Sequence, residues 1–273
     1  MIIDGNKLQE EILDELKQER RGFGKLALAA VLVGENKEGE TFLKAKEKVA
    51  KELNVEFRLY RFEETISREK LRDSLNQIVR AKTNTGVILQ LPLPEKFNAQ
   101  YFLNAIVPEK DVDMLSSRSL GDFYSHSTSS GNAGKEEILP PSVATAKFIF
   151  EKNNIEVKGK MTVVFGFGKL VGQPISFWLV KHGATVTVID MYEKNPERFS
   201  KEADIIISGV GIKNLVTAEM IKRGAVVIDF GGDVNQRVAD KALLFTPTPG
   251  GTGPILVAMI FKNLLTLAQK HRV

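Results

Sequence analysis

Seven consecutive residues, Gly166-Phe167-Gly168-Lys169-Leu170-Val171-Gly172, carry the sharpest chemical signal in the chain. They follow the apolar run Met161–Phe165 and open a helical pattern that carries Trp178. Glycines at a strand-to-helix turn permit a tight bend and close backbone approach, and the free N–H groups of the helix start suit a pyrophosphate. The spacing, G-x-G-x-x-x-G, is one residue longer than the commonest dinucleotide fingerprint. Gly166, Phe167, Gly168, Lys169, Val171 and Gly172 are therefore candidate cofactor-binding residues; a purely structural turn is the alternative. The next strand pattern ends at Asp190, about 20 residues on, where such folds place an acid against the ribose. A carboxylate there accepts from two hydroxyls and repels a 2′-phosphate, so Asp190 favours NAD over NADP unless it is only a surface acid. A second run, Pro247-Thr248-Pro249-Gly250-Gly251-Thr252-Gly253-Pro254, pairs glycines that admit a flat ligand with prolines that stiffen the loop. It reads either as a ligand-facing loop or as a rigid turn before the last helix.

The elements that must hold these residues are legible as α/β. Leu8, Ile12, Leu13 and Leu16 recur at helical spacing between Gly5 and Arg20. Strand patterns cover 26–33, 55–62 and 86–91, the last stopped by Pro92 and Pro94. Helical patterns lie between them at 41–53 and 68–80, after a polar, flexible stretch at 35–40. This alternation is that of a parallel α/β sheet. Ser116 to Lys135 reads as a long loop near a domain boundary. After Pro140-Pro141 the pattern restarts, with strands at 160–165, 185–190, 203–208 and 225–230, a helix at 171–182 and a closing helix from Pro254 to His271.

Composition narrows the function classes. The chain has 273 residues, 43% of them hydrophobic and 26% charged, which is ordinary for a globular protein of two domains. The net charge of +4 is milder than nucleic-acid binding usually requires, so no nucleic-acid partner is expected. Lysines and acids alternate along the helices, so most of the charge reads as solvated surface, with a patch for anionic ligands as the alternative. The absence of cysteine excludes disulfides, thiolate metal sites and cysteine nucleophiles. His126, His182 and His271 lack metal-ligand spacing, and no metal is expected. Met1-Ile2-Ile3-Asp4-Gly5 is no leader, and no apolar run approaches the roughly 20 residues that span a bilayer. A cytoplasmic protein without membrane contact is the expectation.

Three further stretches, in order, frame the glycine turn: Gly86-Val87-Ile88-Leu89-Gln90-Leu91-Pro92-Leu93-Pro94, Pro108-Glu109-Lys110-Asp111-Val112-Asp113, and the Pro247–Pro254 loop. Together they make the chain resemble the bifunctional methylenetetrahydrofolate dehydrogenase/methenyltetrahydrofolate cyclohydrolases almost end to end, as a divergent member. The resemblance implies two α/β domains: a folate-binding catalytic domain at 1–139 with 255–273 returning to it, and a Rossmann-type NAD(P)-binding domain at 140–254. Folate would lie in the cleft between them. It also implies a homodimer, no metal, and two successive reactions: hydride transfer from the methylene bridge to nicotinamide, then hydrolysis of the methenyl product to 10-formyltetrahydrofolate. A Y-x-x-x-K element aligns its catalytic lysine with Lys46. Gln90 would orient that lysine, and Asp113 would bind the donor-rich edge of the pterin. On sequence alone Lys46 could be solvated helix surface, Gln90 a strand-end amide and Asp113 a turn cap. The resemblance adds Phe42, Leu91, Pro92, Gly250, Gly251 and Pro254 to the substrate set, and Val210, Gly211, Gly231 and Thr252 to the cofactor set.

Five departures from the family pattern stand out. Phe42 stands where the motif has tyrosine, keeping a ring and losing a hydroxyl; cyclohydrolase activity is the step this threatens. Gly166-Phe167-Gly168 replaces G-R-S, and Asp190-Met191 replaces a histidine-serine pair, so the groups that would hold a 2′-phosphate are gone. NAD is the expected cofactor, with NADP as the alternative. Pro140-Pro141-Ser142-Val143 replaces P-C-T-P, and Met114 replaces the glycine after K-D-V-D. The competing readings are a dehydrogenase without cyclohydrolase activity, a two-domain dehydrogenase of shikimate or amino-acid type, and a non-catalytic folate- or nucleotide-binding protein.

Overall fold

The computed structural model describes residues 1–125 and 137–270. His126, His271 and the part of the Ser116–Lys135 stretch beyond Ser125 lie outside them. The chain divides into two compact units, Glu11–Leu139 with Val257–Val273, and Met1–Glu10 with Pro140–Leu256.

In the unit built on Glu11–Leu139, three strands form a parallel sheet in the order β2-β1-β3, with β1 at Ala27–Val33, β2 at Glu56–Phe62 and β3 at Gly86–Leu89. Parallel neighbours need crossovers, and the helices α2 (Lys37–Glu52) and α3 (Arg68–Arg80) supply them. Every residue of β1 is buried, as a central strand covered on both faces requires. Leu71, Leu75, Ile78 and Val79 of α3 pack with Ala29, Val31 and Val33 of β1 and with Val87 and Leu89 of β3. The helix α1 (Gly5–Arg20) buries Ile12, Leu13 and Leu16, the stripe its spacing predicted.

The second unit is a five-stranded parallel sheet in the order β5-β4-β6-β7-β8. Its strands are β4 (Met161–Phe165), β5 (Thr185–Ile189), β6 (Ile205–Ser208), β7 (Val226–Asp229) and β8 (Leu244–Thr246). After α3 the chain forms the helices α4 (Ala99–Leu103), α5 (Ser117–Ser125) and α6 (Pro141–Lys152). The helix α7 (Gly172–Lys181) then connects β4 to β5, and its Trp178 stacks on Phe150 of α6. The N-terminus covers the β8 edge: Ile3 N–H donates to Phe245 O, and Phe245 N–H donates to Met1 O. That pairing explains why the first ten residues count with this unit.

The last helix, Thr252–Lys270, is long and apolar enough to cross a membrane by length and composition alone, a length of apolar chain the sequence pattern did not register. About two-thirds of that window is buried within the protein. Asn263 on this helix donates through Nδ2 to Val112 O (2.9 Å) and Leu139 O (2.8 Å), and its Leu264 faces Gly86. The C-terminal helix thus returns to the first unit.

Three expectations change. The polar stretch expected at 35–40 is mostly helix: α2 already begins at Lys37, because the Asn36 side chain accepts from Gly39 N–H (2.8 Å) and caps it. Ser117–Ser125 is helical rather than loop, with Ser119 and Phe123 buried. The strand expected at 86–91 ends at Leu89, so Gln90 is the first residue beyond it.

Candidate active site

Lys46 sits on α2 among Lys44, Lys48 and Lys51, all exposed, yet is itself only 5% exposed. Helical geometry explains the contrast, since Leu43, Val49 and Ala50 share its inward face at three- and four-residue spacing. Its Nζ lies 3.0 Å from Gln90 Oε1. Gln90 is held in turn: its Nε2 donates to Leu91 O at 3.0 Å. A carbonyl can only accept, so the amide nitrogen must face Leu91, and the amide oxygen is left for the lysine. Burial pushes the Lys46 amine below its ordinary pKa, while the negative charge of Asp113 pulls the other way. Asp113, half-buried, is pushed up by burial and by Asp111, and held down by Lys46.

The structure therefore brings Lys46, Gln90 and Asp113 into one electrostatic neighbourhood, with Lys46 and Gln90 in direct contact. Phe42, one turn before Lys46, is 42% exposed and keeps its ring at the surface. Leu91 and Pro92 follow Gln90 directly, partly buried and exposed respectively. Asp111, fully buried, was missed by sequence reasoning: its carboxylate accepts from Leu115 N–H (3.2 Å) and Ser116 N–H (2.8 Å), closing the turn that carries Asp113. Met114 in this turn has φ +57 and is buried, so the backbone keeps a glycine-like conformation at a non-glycine residue.

In the second unit, Gly166 follows β4 with φ +86, and a Cβ there would meet Val210 Cγ2 at 2.9 Å. A Cβ at Gly172 would lie 2.1 Å from Gly166 O, closer than any side chain could come. The turn thus folds only with glycine at both ends. Gly168 differs, since a Cβ there would meet nothing within 4 Å, leaving open space beside the start of α7. Phe167 and Lys169 are exposed, and Val171 packs against Gly209. Ser142, in the Pro-Pro-Ser-Val departure, holds the turn by donating to Leu170 O at 2.6 Å. Asp190 is exposed just past β5, with one carboxylate oxygen accepting from Tyr192 N–H at 2.9 Å. A tight glycine turn, open room at a helix start and an exposed acid beyond the next strand fit an adenine dinucleotide.

The remaining expected cofactor and substrate residues gather on the loops after β6, β7 and β8. Val210 and Gly211 are exposed, and Gly231 follows the β7 terminus. Gly250 has φ +93 and accepts from Gly5 N–H at 2.7 Å, while Pro254 O accepts from Gln9 Nε2 at 2.8 Å. Thr252 is buried, and its hydroxyl donates to Asp229 O at 2.7 Å, so the side chain serves the loop rather than an open surface. Sequence reasoning missed Asp229 and Asp233, both fully buried. Asp229 accepts from Gly231, Gly232 and Asp233 N–H groups at 2.9–3.1 Å, and Asp233 accepts from the loop after β6. The signal available was the acid-x-Gly-Gly-acid spacing at a strand end, typical of a carboxylate closing a turn on its own backbone.

These features define a two-unit nucleotide-dependent oxidoreductase: a Rossmann-type domain joined to an α/β unit with a buried lysine whose pKa burial pushes down. Comparison with known proteins makes the class specific. The tetrahydrofolate dehydrogenase/cyclohydrolase catalytic-domain model matches residues 3–113, and the NAD(P)-binding-domain model of the same family matches residues 140–272. The bifunctional protein FolD of Aquifex aeolicus (strain VF5) is 32% identical over 97% of this chain and 94% of its own length. The crystal structure of the bifunctional FolD methylenetetrahydrofolate dehydrogenase/cyclohydrolase from Campylobacter jejuni matches with a TM-score of 0.89 and 29% identity, covering 99% of both chains. That of the Trypanosoma brucei enzyme, solved with NADP cofactor and an inhibitor, matches with a TM-score of 0.91 and 28% identity over 100% of this chain and 99% of that one. The chain belongs to the tetrahydrofolate dehydrogenase/cyclohydrolase family.

Proposed function

We propose that this chain oxidises 5,10-methylenetetrahydrofolate to 5,10-methenyltetrahydrofolate with NAD, and hydrolyses that product to 10-formyltetrahydrofolate. The observation that carries the reading is the buried Lys46–Gln90 contact beside Asp113, in a unit that matches the family's catalytic domain. Asp113 offers a carboxylate to the guanidine-like edge of the pterin, and Phe42 offers a ring face to stack on it. When bound, the nicotinamide supplies the hydride acceptor. Gly166, Gly168 and Gly172 with the start of α7 would hold its pyrophosphate, and Asp190 its adenosine ribose.

Ring opening needs water to add at the methenyl carbon and lose a proton. A lysine whose burial favours the uncharged form can take that proton on Nζ. Gln90 Oε1 fixes the amine's direction, leaving the nitrogen lone pair free to accept. Phe42 supports a second reading, dehydrogenase without hydrolysis, because no phenol stands one turn from Lys46 to hold the lysine or the water.

The exposed Asp190 carboxylate supports NAD over NADP in this reading, since it would face a 2′-phosphate with like charge. Homodimerisation and a cytoplasmic location belong to this reading through the family resemblance. The test is cofactor reduction from methylenetetrahydrofolate with NAD and NADP in parallel, followed by decay of the methenyl absorbance. Turnover with NAD and accelerated decay are expected. No turnover with either cofactor overturns the reading, and turnover without accelerated decay leaves only the dehydrogenase.

A further inference from the structure

We propose that Asp233 is a positioning residue for the dinucleotide. Its carboxylate gathers the N–H groups of the loop after β6 and leaves that loop as an acceptor surface for uncharged hydrogen-bond donors of the cofactor. The inference rests on the cofactor reading above and extends it to the polarity of one loop.

Val210, Gly211 and Ile212 present three successive backbone N–H groups, and Gly211 has φ +86. Successive N–H groups around a left-handed residue form a concavity that binds anions. Here the protein's own carboxylate fills it. Asp233 Oδ2 accepts from Val210 N–H at 2.8 Å, and Oδ1 accepts from Gly211 N–H at 2.6 Å and Ile212 N–H at 2.7 Å. Ser208 Oγ donates to Oδ2 at 2.5 Å, and Asp233 has no exposed surface. Its own position is fixed, since Asp233 N–H donates to Asp229 Oδ1 at 3.1 Å.

The consequence concerns what the loop can still offer. Its N–H groups are spent. Among the described residues no hydrogen bond reaches the carbonyl oxygens of Gly209, Val210 or Gly211. The unspent backbone groups are therefore acceptors, with a buried negative charge behind them. A phosphate would meet lone pairs and like charge; a ribose hydroxyl or the carboxamide N–H would meet partners. The neighbouring glycine turn has the opposite polarity, with N–H groups at the start of α7. The two loops touch, since a Cβ at Gly209 would lie 2.7 Å from Val171 Cγ1 and one at Gly166 2.9 Å from Val210 Cγ2. Donor turn and acceptor loop lie side by side, matching a ligand whose phosphates adjoin hydroxyl-bearing sugars.

The experiment compares wild type and Asp233→Asn for binding of NAD, ADP-ribose and inorganic pyrophosphate by calorimetry. An amide at 233 turns one oxygen acceptor into a donor and removes the charge. NAD should bind at least about tenfold more weakly, the effect of one lost charge-assisted hydrogen bond, and pyrophosphate should bind equally or more tightly. A loss shared by ADP-ribose supports ribose hydroxyls as the donors; a loss confined to NAD supports the carboxamide. Parallel losses for NAD and pyrophosphate, as general unfolding of the site would give, overturn the proposal, and so does unchanged NAD affinity. If Asp233→Asn does not fold, Gly211→Ala keeps the carboxylate and strains only φ, because a Cβ there meets nothing within 4 Å. The same selective loss is then expected, and equal or absent losses refute the assignment. Wild type that fails to bind NAD at all would instead defeat the cofactor reading on which the proposal stands.

Discussion

Gln90→Leu removes the only protein hydrogen-bond partner that Lys46 Nζ has among the described residues, and keeps a side chain of similar bulk. Two effects follow, and they can be separated by pH. The amine loses its orientation, and a buried polar group left without its partner costs about 1–3 kcal/mol. If that loss falls on the transition state, the plateau rate of methenyl hydrolysis should drop roughly 5- to 150-fold, at about 1.4 kcal/mol per decade. The second effect is on charge. Oε1 accepts more strongly from an ammonium than from a neutral amine, so it opposes the downward push of burial on Lys46. Removing it lowers the pKa further. The proton-accepting form is the neutral amine, so the hydrolysis rate climbs with pH as Lys46 deprotonates. In the variant this climb must move to lower pH while its plateau falls. The assay is the initial rate of methenyl absorbance loss across the neutral range, corrected for the uncatalysed rate at each pH. A climb that moved to higher pH would refute the charge argument, and a plateau within about twofold of wild type would refute the orientation argument.

Other perturbations test other parts of the frame. Asp190→Ala should raise kcat/KM with NADP relative to NAD by about tenfold, on the order of one removed like-charge contact, and an unchanged ratio would show that Asp190 does not select the cofactor. Gly172→Ala places a Cβ 2.1 Å from Gly166 O, so the turn must open; NAD binding should be lost before the far-UV spectrum changes, and normal NAD affinity would contradict the close approach of turn and helix. Asn263→Ala leaves Val112 O and Leu139 O without their donor, at about 2 kcal/mol in total. In a chain of this size the thermal midpoint should fall by roughly 5 °C, and an unshifted midpoint would mean that the helix needs no such anchor.

How much of this was legible in the sequence depends on the range of the interaction. The leucine spacing of α1, the apolar run of β1 and the glycine turn after β4 are local patterns, and each appears where the residues place it. Polar starts deceived: Asn36 caps α2 across three residues, yet Glu35 to Glu40 looks like linker because the cap and the charged residues around it are polar alike. The helix Ser117–Ser125 was hidden by serines, two of which, Ser116 and Ser119, bond each other in the interior at 2.9 Å. Long-range partnerships leave no local trace. Lys46 does share the apolar stripe of Leu43, Val49 and Ala50, but its partner Gln90 lies 44 residues on, and only resemblance to a family motif singled the lysine out. The Asp233 contacts span 21 to 25 residues, and Met1 pairs with a strand 242 residues away. Neither has a periodicity to read.

The turn after Asp113 has a consequence for how this family can change. Met114 holds a left-handed backbone that strains a side-chain-bearing residue by about 1–3 kcal/mol. Its side chain, almost wholly enclosed, recovers a similar amount by leaving water, about 1.5–3 kcal/mol. The two terms nearly cancel, so a glycine and a methionine are close to isoenergetic for folding at this position. A site adjoining a ligand-directed carboxylate at which the fold expresses little preference is one where selection can act on chemistry alone.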